Sequence, residues 1–182
     1  MLQSATLDAI KAHQENVEKD KITSEGLPAC PRCQLEAIFF KIHAYRERRF
    51  LVIIKAIVLS AFCTLARFRC PRCKKTFTHY PDFAMPYKHY TRQTIESFSR
   101  TYIEKEQKTY ETAVMTYDGA PSYPDSGRSL PGSTIYRWIS AIAGRYRYYY
   151  NSTFAIPKRK YRNPKRKENL LKCLNFLRLN PI

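Results

Sequence analysis

Four cysteines in two matching tetrapeptides are the residues of this chain best suited to chemistry. Cys30-Pro31-Arg32-Cys33 recurs as Cys70-Pro71-Arg72-Cys73, with residues 34–69 between the two copies. Two thiols two residues apart can bite one metal ion from a tight turn. Two such pairs complete the tetrahedral four-thiolate shell that zinc prefers, so Cys30, Cys33, Cys70 and Cys73 are expected to hold Zn2+. Four thiolates on one divalent cation leave an excess of negative charge, and Arg32, Arg72, Lys74 and Lys75 stand beside them to offset it. Chelation would tie together two distant points of the chain, so folding and metal binding are expected to be coupled.

Other readings of these thiols fit less well. Two disulfides need an oxidising compartment, and nothing ahead of them reads as a secretory signal. A redox Cys-x-x-Cys normally stands alone beside a βαβ unit, and none is visible in the pattern. An iron–sulfur cluster is open in principle, but the symmetric pair favours zinc. The interval between the pairs exceeds the roughly 15–20 residues usual in such sites. Cys63 and Cys173 lie outside any pair and read as small apolar core residues.

Charge limits the partners. Thirty-two basic residues against 15 acidic ones give the 182-residue chain a formal net charge of +17. That balance points to a polyanion, nucleic acid ahead of an anionic membrane surface. Fourteen tyrosines are interleaved with the cations. Rings can contact bases or sugars while cations contact phosphates, although tyrosines also serve as packing residues with one wet end. The most apolar run, Phe50 to Cys63, is too short to span a membrane and carries Lys55. The expected location is a reducing cytoplasm, in association with the nucleoid.

The elements that must position these residues follow in order. Residues 1–24 read as an amphipathic helix with a thin apolar stripe of Leu7, Ile10 and Val17, with Gln14 at the same spacing. Such a helix can dock on the body, pair with a second copy, or fray. Residues 25–80 read as a small antiparallel zinc ribbon. Leu35–Tyr45, Phe50–Leu59 and Thr64–Arg69 are its β-prone runs, the charged Tyr45–Arg49 stretch falls between the first two, and a helix over part of Phe50–Cys63 is the alternative. The usual turn signals are missing there, since no Gly, Pro, Asn or Asp occurs between Cys33 and Cys70. Residues 81–150 read as a helical domain of the helix-turn-helix kind. Thr91 caps a helix from Arg92 to about Gln107 with Ile95, Phe98, Tyr102 and Ile103 inward. A shorter helix covers Thr109 to Tyr117, and a third runs from about Ser133 to Tyr150 with Ile135, Trp138, Ile139 and Ile142 as its buried stripe. The intervening Asp118–Gly132 loop, with three prolines and three glycines, is long for a compact domain. Residues 151–182 form a basic tail with a short amphipathic piece at Leu170–Leu179. The fold class expected is therefore α+β.

The run Phe68-Arg69-Cys70-Pro71-Arg72-Cys73-Lys74-Lys75-Thr76-Phe77, followed by Pro81-Asp82-Phe83 and Pro86-Tyr87-Lys88-His89-Tyr90, resembles a bacterial, transposon-associated family of unknown function. In that family a transposase-type zinc ribbon precedes a helix-turn-helix. Ser133-Thr134-Ile135-Tyr136-Arg137-Trp138 is similar to the family's recognition-helix opening. The likeness covers roughly residues 27 to 145. It implies zinc on the four paired cysteines and DNA contact from the helix that starts near Ser133. A transposase or integrase encoded nearby is a further expected partner.

DNA reading can be argued from the residues as well. With Ile135, Trp138, Ile139 and Ile142 inward, Ser133, Thr134, Tyr136, Arg137 and Ser140 face outward. Arg137 can take a guanine edge in two hydrogen bonds, while Ser133 and Thr134 reach bases or phosphates. Arg145 lies where such a helix meets the backbone. Lys158, Arg159, Lys160, Arg162, Lys165, Arg166 and Lys167 suit a flexible arm along phosphates. His43, His79 and His89 read as structural or phosphate-facing. The five aspartates fall in expected loops, linkers or the first helix, and no nucleophile–base pair or phosphate-binding glycine loop is visible. The expectation is a non-catalytic protein that binds double-stranded DNA, as the recognition module or accessory factor of a mobile element. A transcriptional regulator and an RNA-binding zinc ribbon are the alternatives.

Overall fold

The computed structural model describes residues 2–104, 109–115 and 119–153. They form an α+β fold with a three-stranded antiparallel sheet. The chain gathers into two compact units, one made of Met1–Val52 with Ser60–Arg92, the other of Ile53–Leu59 with the chain from Gln93 on.

Helix α1 spans Leu2–Glu18 and buries Thr6, Ile10 and Val17. Of the three fates open to it, docking is the one observed. The Thr64 amide donates to Gln14 Oε1 at 2.9 Å, and the Thr64 carbonyl lies 3.2 Å from His13 Nε2. One turn of helix thus satisfies both backbone groups of a single residue. The His13 ring also meets Phe83 edge-on at 5.8 Å.

After the first cysteine pair a short 3-10 turn, Ala37–Phe39, leads into β1 (Lys41–Ile54). Strands β2 (Ile57–Arg69) and β3 (Thr76–Thr78) follow, and the sheet order is β1-β2-β3. β2 and β3 pair antiparallel with Phe68 opposite Phe77, so the second cysteine pair sits in the connection between them. The expected breaks near Tyr45–Arg49 and Leu59–Thr64 do not occur, and no helix forms over Phe50–Cys63. Two long strands run through both places.

Their turn is Lys55-Ala56 alone, both residues left-handed with φ of 46° and 58°. Neither residue type signals such a turn, and each costs on the order of 1–2 kcal/mol in that conformation. The flanking Phe50, Leu51, Val52, Ile53 and Val58 are all buried. At roughly 1.5–3 kcal/mol per buried apolar side chain, their gain outweighs the strain and fixes the register. Ser122 then pins the tip: its amide donates to the Ala56 carbonyl at 2.9 Å, and its carbonyl accepts from Val58 at 2.8 Å.

In the second unit α2 (Arg92–Glu104) buries Ile95, Phe98 and Ile103, with Tyr102 half-buried. Helix α3 (Tyr110–Val114) is capped by Thr109, which exchanges two reciprocal 3.1 Å hydrogen bonds with Thr112. Helix α4 spans Gly132–Thr153 and buries Ile135, Trp138, Ile139 and Ile142. The long loop ahead of α4 closes on itself as a small hairpin. Tyr123 donates to the Arg128 carbonyl at 2.8 Å, and Leu130 to the Pro121 carbonyl at 2.6 Å. The insertion therefore returns to its starting point and adds little separation between α3 and α4. Among the described residues no helix is long and apolar enough to cross a membrane.

Candidate functional site

Each cysteine pair is built by the same local rule. The amide of Cys30 donates to the Leu35 carbonyl at 2.8 Å, and the amide of Gln34 returns to the Cys30 carbonyl at 2.9 Å. At the second pair Cys70 donates to Lys75 at 2.9 Å and Lys74 to Cys70 at 3.0 Å. Gln34 and Lys74, one past each pair, are both left-handed, with φ of 57° and 60°. The tetrapeptide repeat in the sequence is thus a repeat in backbone conformation, with both sulfurs of each turn brought to one side.

The four sulfurs converge to within 4.8 Å of one another. Cys30 lies 3.5 Å from Cys73, and Cys33 lies 3.5 Å from Cys70. Sulfurs about 2.3 Å from a tetrahedral ion stand about 3.8 Å apart, inside the observed range, so the set fits one thiolate-bound ion. None of the five described cysteines is in a disulfide. The backbone prepares for anionic sulfur. Hydrogen bonding from Arg32, then Cys33, overcomes burial and brings the Cys30 thiol down to about 6. At Cys70 burial pulls upward, but the Cys73 backbone, the Cys33 thiol and the Arg72 backbone outweigh it and the thiol is lowered. Cys33 goes the other way: the Leu35 backbone lowers it, yet burial and the thiols of Cys70, Cys30 and Cys73 push it up to about 11. Four crowded thiols cannot all ionise without a cation to share.

Beneath the cluster lies a small core. Cys30, Ala37, Phe40, Ala66, Phe68 and Cys70 are buried together, with Leu27, Leu35 and Phe77 packed on them. Phe77 meets Phe40 edge-on at 4.9 Å and stacks on Phe68 at 6.1 Å. Cys63 is apart from this set. It is buried, and burial alone pushes its thiol up to about 11, as suits an inert core residue. Cys173 lies outside the described residues.

The expected DNA-contact residues divide by position. Ser133, Tyr136, Arg137 and Ser140 are exposed on α4, and Thr134 is half-buried. The buried stripe backs onto α2, where Trp138 meets Phe98 at 6.1 Å. The start of α4 lies against the start of α3: a Cβ on Gly132 would stand 2.9 Å from the Glu111 amide nitrogen and 3.0 Å from the Tyr110 carbonyl carbon. Tyr136 packs on Tyr110 at 5.6 Å, and Tyr110 stacks on Tyr102 at 4.4 Å, joining all three helices by rings. Burial first, then the Tyr102 hydroxyl, pushes the Tyr110 phenol up to about 12, so it stays protonated. The Arg145 side chain and all of Lys158, Arg159, Lys160, Arg162, Lys165, Arg166 and Lys167 lie outside the described residues, as does the Leu170–Leu179 piece.

The single histidines have settings the spacing did not reveal. His43 is exposed, and His89 Nδ1 lies 3.5 Å from the Arg49 carbonyl. His79 is half-buried, and burial, then the nearby His13 charge, lowers its pKa against an opposing pull from Asp82. His13 and Gln14 carry the docking of α1. Their only sequence signal was polarity on the helix face that also carries the apolar stripe.

A three-stranded sheet holding four convergent thiols, together with a helical unit, defines an α+β protein with a candidate metal centre. Residues 30–138, from the first paired cysteine to Trp138, match the family described as a domain of unknown function (DUF6431), and the chain belongs to that family. No curated protein and no solved structure matches it significantly.

Proposed function

We propose that this chain is a zinc-dependent protein that binds double-stranded DNA through α4. The observation that carries the reading is the division of that helix. Ile135, Trp138, Ile139 and Ile142 are buried while Ser133, Tyr136, Arg137 and Ser140 stand exposed over its first turns, on a chain of net charge +17. A helix whose opening residues are outward hydroxyls and a guanidinium suits the major groove, where Arg137 takes a guanine edge. On this reading α3, which Gly132 approaches closely, would act as the supporting helix of a helix-turn-helix. Zinc on Cys30, Cys33, Cys70 and Cys73 is the staple of a zinc ribbon, supplying folding energy rather than a reactive centre.

On this reading the protein recognises DNA and catalyses nothing itself, working near the nucleoid in the cytoplasm. The family resemblance adds the setting of a mobile element, with a transposase or integrase as partner. A promoter-binding regulator would use the same contacts, and the genes alongside distinguish the two. Binding-site selection from random duplexes with the zinc-loaded protein tests the reading. Enrichment of a short common motif is expected. A pool that stays random, or a preference for single-stranded RNA, overturns it.

A further inference from the structure

The N-terminal half of β1 is exposed along one whole face. Lys41, His43, Tyr45, Glu47 and Arg49 alternate onto that face, and every one of them is exposed. Lys41, Tyr45 and Arg49 repeat cation, ring, cation at four-residue steps of about 13 Å. Just before the strand, Ile38 and Phe39 are 70% and 56% exposed, and Tyr45 is 41% exposed. The first unit carries 15 basic against eight acidic residues, and ten against two within 30–52 and 60–78, so the positive charge is concentrated around the sheet.

An edge strand is often guarded by charge against pairing with other sheets. A guard of that kind needs one or two lysines and no exposed Phe39 and Tyr45. Rings set between cations match a strand of nucleic acid whose bases are free to stack, since a duplex hides its base faces.

We propose that this face of β1, with Phe39 ahead of it, is a binding site for single-stranded DNA, distinct from the α4 surface. Phe39 and Tyr45 stack on bases while Lys41 and Arg49 contact the flanking phosphates. The site shares with the duplex-binding reading only the class of partner.

The test uses the full-length zinc-loaded protein and fluorescence anisotropy with a mixed-sequence single-stranded oligodeoxynucleotide, its duplex and the matching RNA. Phe39→Ala with Tyr45→Ala should cost the single strand at least about tenfold in affinity and leave the duplex unchanged. Lys41→Gln with Arg49→Gln should make the salt slope of single-strand binding shallower by about 1.4. If the alanine pair lowers zinc content, Phe39→Leu with Tyr45→Leu decides, since it keeps apolar bulk and removes the rings; the same loss is expected. Single-strand affinity within twofold of wild type in the deciding variant overturns the site, as does tighter binding of the RNA than of the DNA. Arg137→Ala is read on the duplex alone, so failure of the α4 surface and failure of this site are separate results.

Discussion

At the scale of single residues, chemistry was the most readable part of the chain. A four-thiolate site leaves few choices of residue type, so Cys30, Cys33, Cys70 and Cys73 could be singled out from their spacing, and their sulfurs converge as a set that could hold a metal ion. The protein purified under reducing conditions should carry one zinc per chain by elemental analysis. Cys70→Ser should lose it together with the ordered first unit, whereas Cys63→Ala, away from the cluster, should keep full zinc. Iron in place of zinc, or no metal, contradicts the assignment. What the residue types did not announce was conformation: Gln34, Lys74, Lys55 and Ala56 are left-handed without being glycine. Gly132 raises the opposite case, because the neighbours of an added Cβ are backbone atoms that cannot swing aside. Gly132→Ala should destabilise by roughly 1–3 kcal/mol in thermal or denaturant unfolding, by forcing α3 and α4 apart. An unchanged midpoint would mean the two helices slide freely.

At the scale of elements, helices were read better than strands. The α4 stripe of Ile135, Trp138, Ile139 and Ile142 emerged intact because a 3.6-residue period is a property of the helix itself. The β1–β2 turn did not, because it is set by burial of Phe50–Ile53 and by the clamp from Ser122, both long-range. The docking of α1 was hidden for a similar reason: His13 and Gln14 find their partner some 50 residues on, at Thr64. That docking carries a pH signature. Burial, opposed by the Thr64 carbonyl, holds His13 below its ordinary 6.5, and His79 is lowered too. The unfolded chain therefore takes up protons first as pH falls. Their contribution to stability is complete above about 6.5 and is lost as pH drops from there through the lower folded values. Denaturant unfolding followed across this window should show that loss, and His13→Gln should show less of it. Equal slopes for the two proteins would remove His13 as the cause.

At the scale of the whole molecule, the net charge of +17 dominates, and the proposed reading divides it among regions with different work. The tail from Pro157 holds seven of the cations between Lys158 and Lys167. Deleting residues 157–182 should weaken binding to all duplexes about equally and flatten the salt slope, by up to about 6 if those seven cations each meet a phosphate. A lower melting temperature with an unchanged slope would instead mean that Leu170, Leu171, Leu174 and Leu177 dock the tail on the body. Sequence choice, by contrast, belongs to α4 in the function proposed above. The most direct measurement of that claim is duplex affinity at the selected site for wild type, Arg137→Ala and Trp138→Ala, with unfolding of each alongside. Arg137→Ala should cost about 1–3 kcal/mol of binding, relax preference at one base position and leave stability alone. Trp138→Ala should first cost about 3–5 kcal/mol of stability, because the ring is core. Arg137→Ala binding the same site with the same affinity and the same base preference would contradict the account.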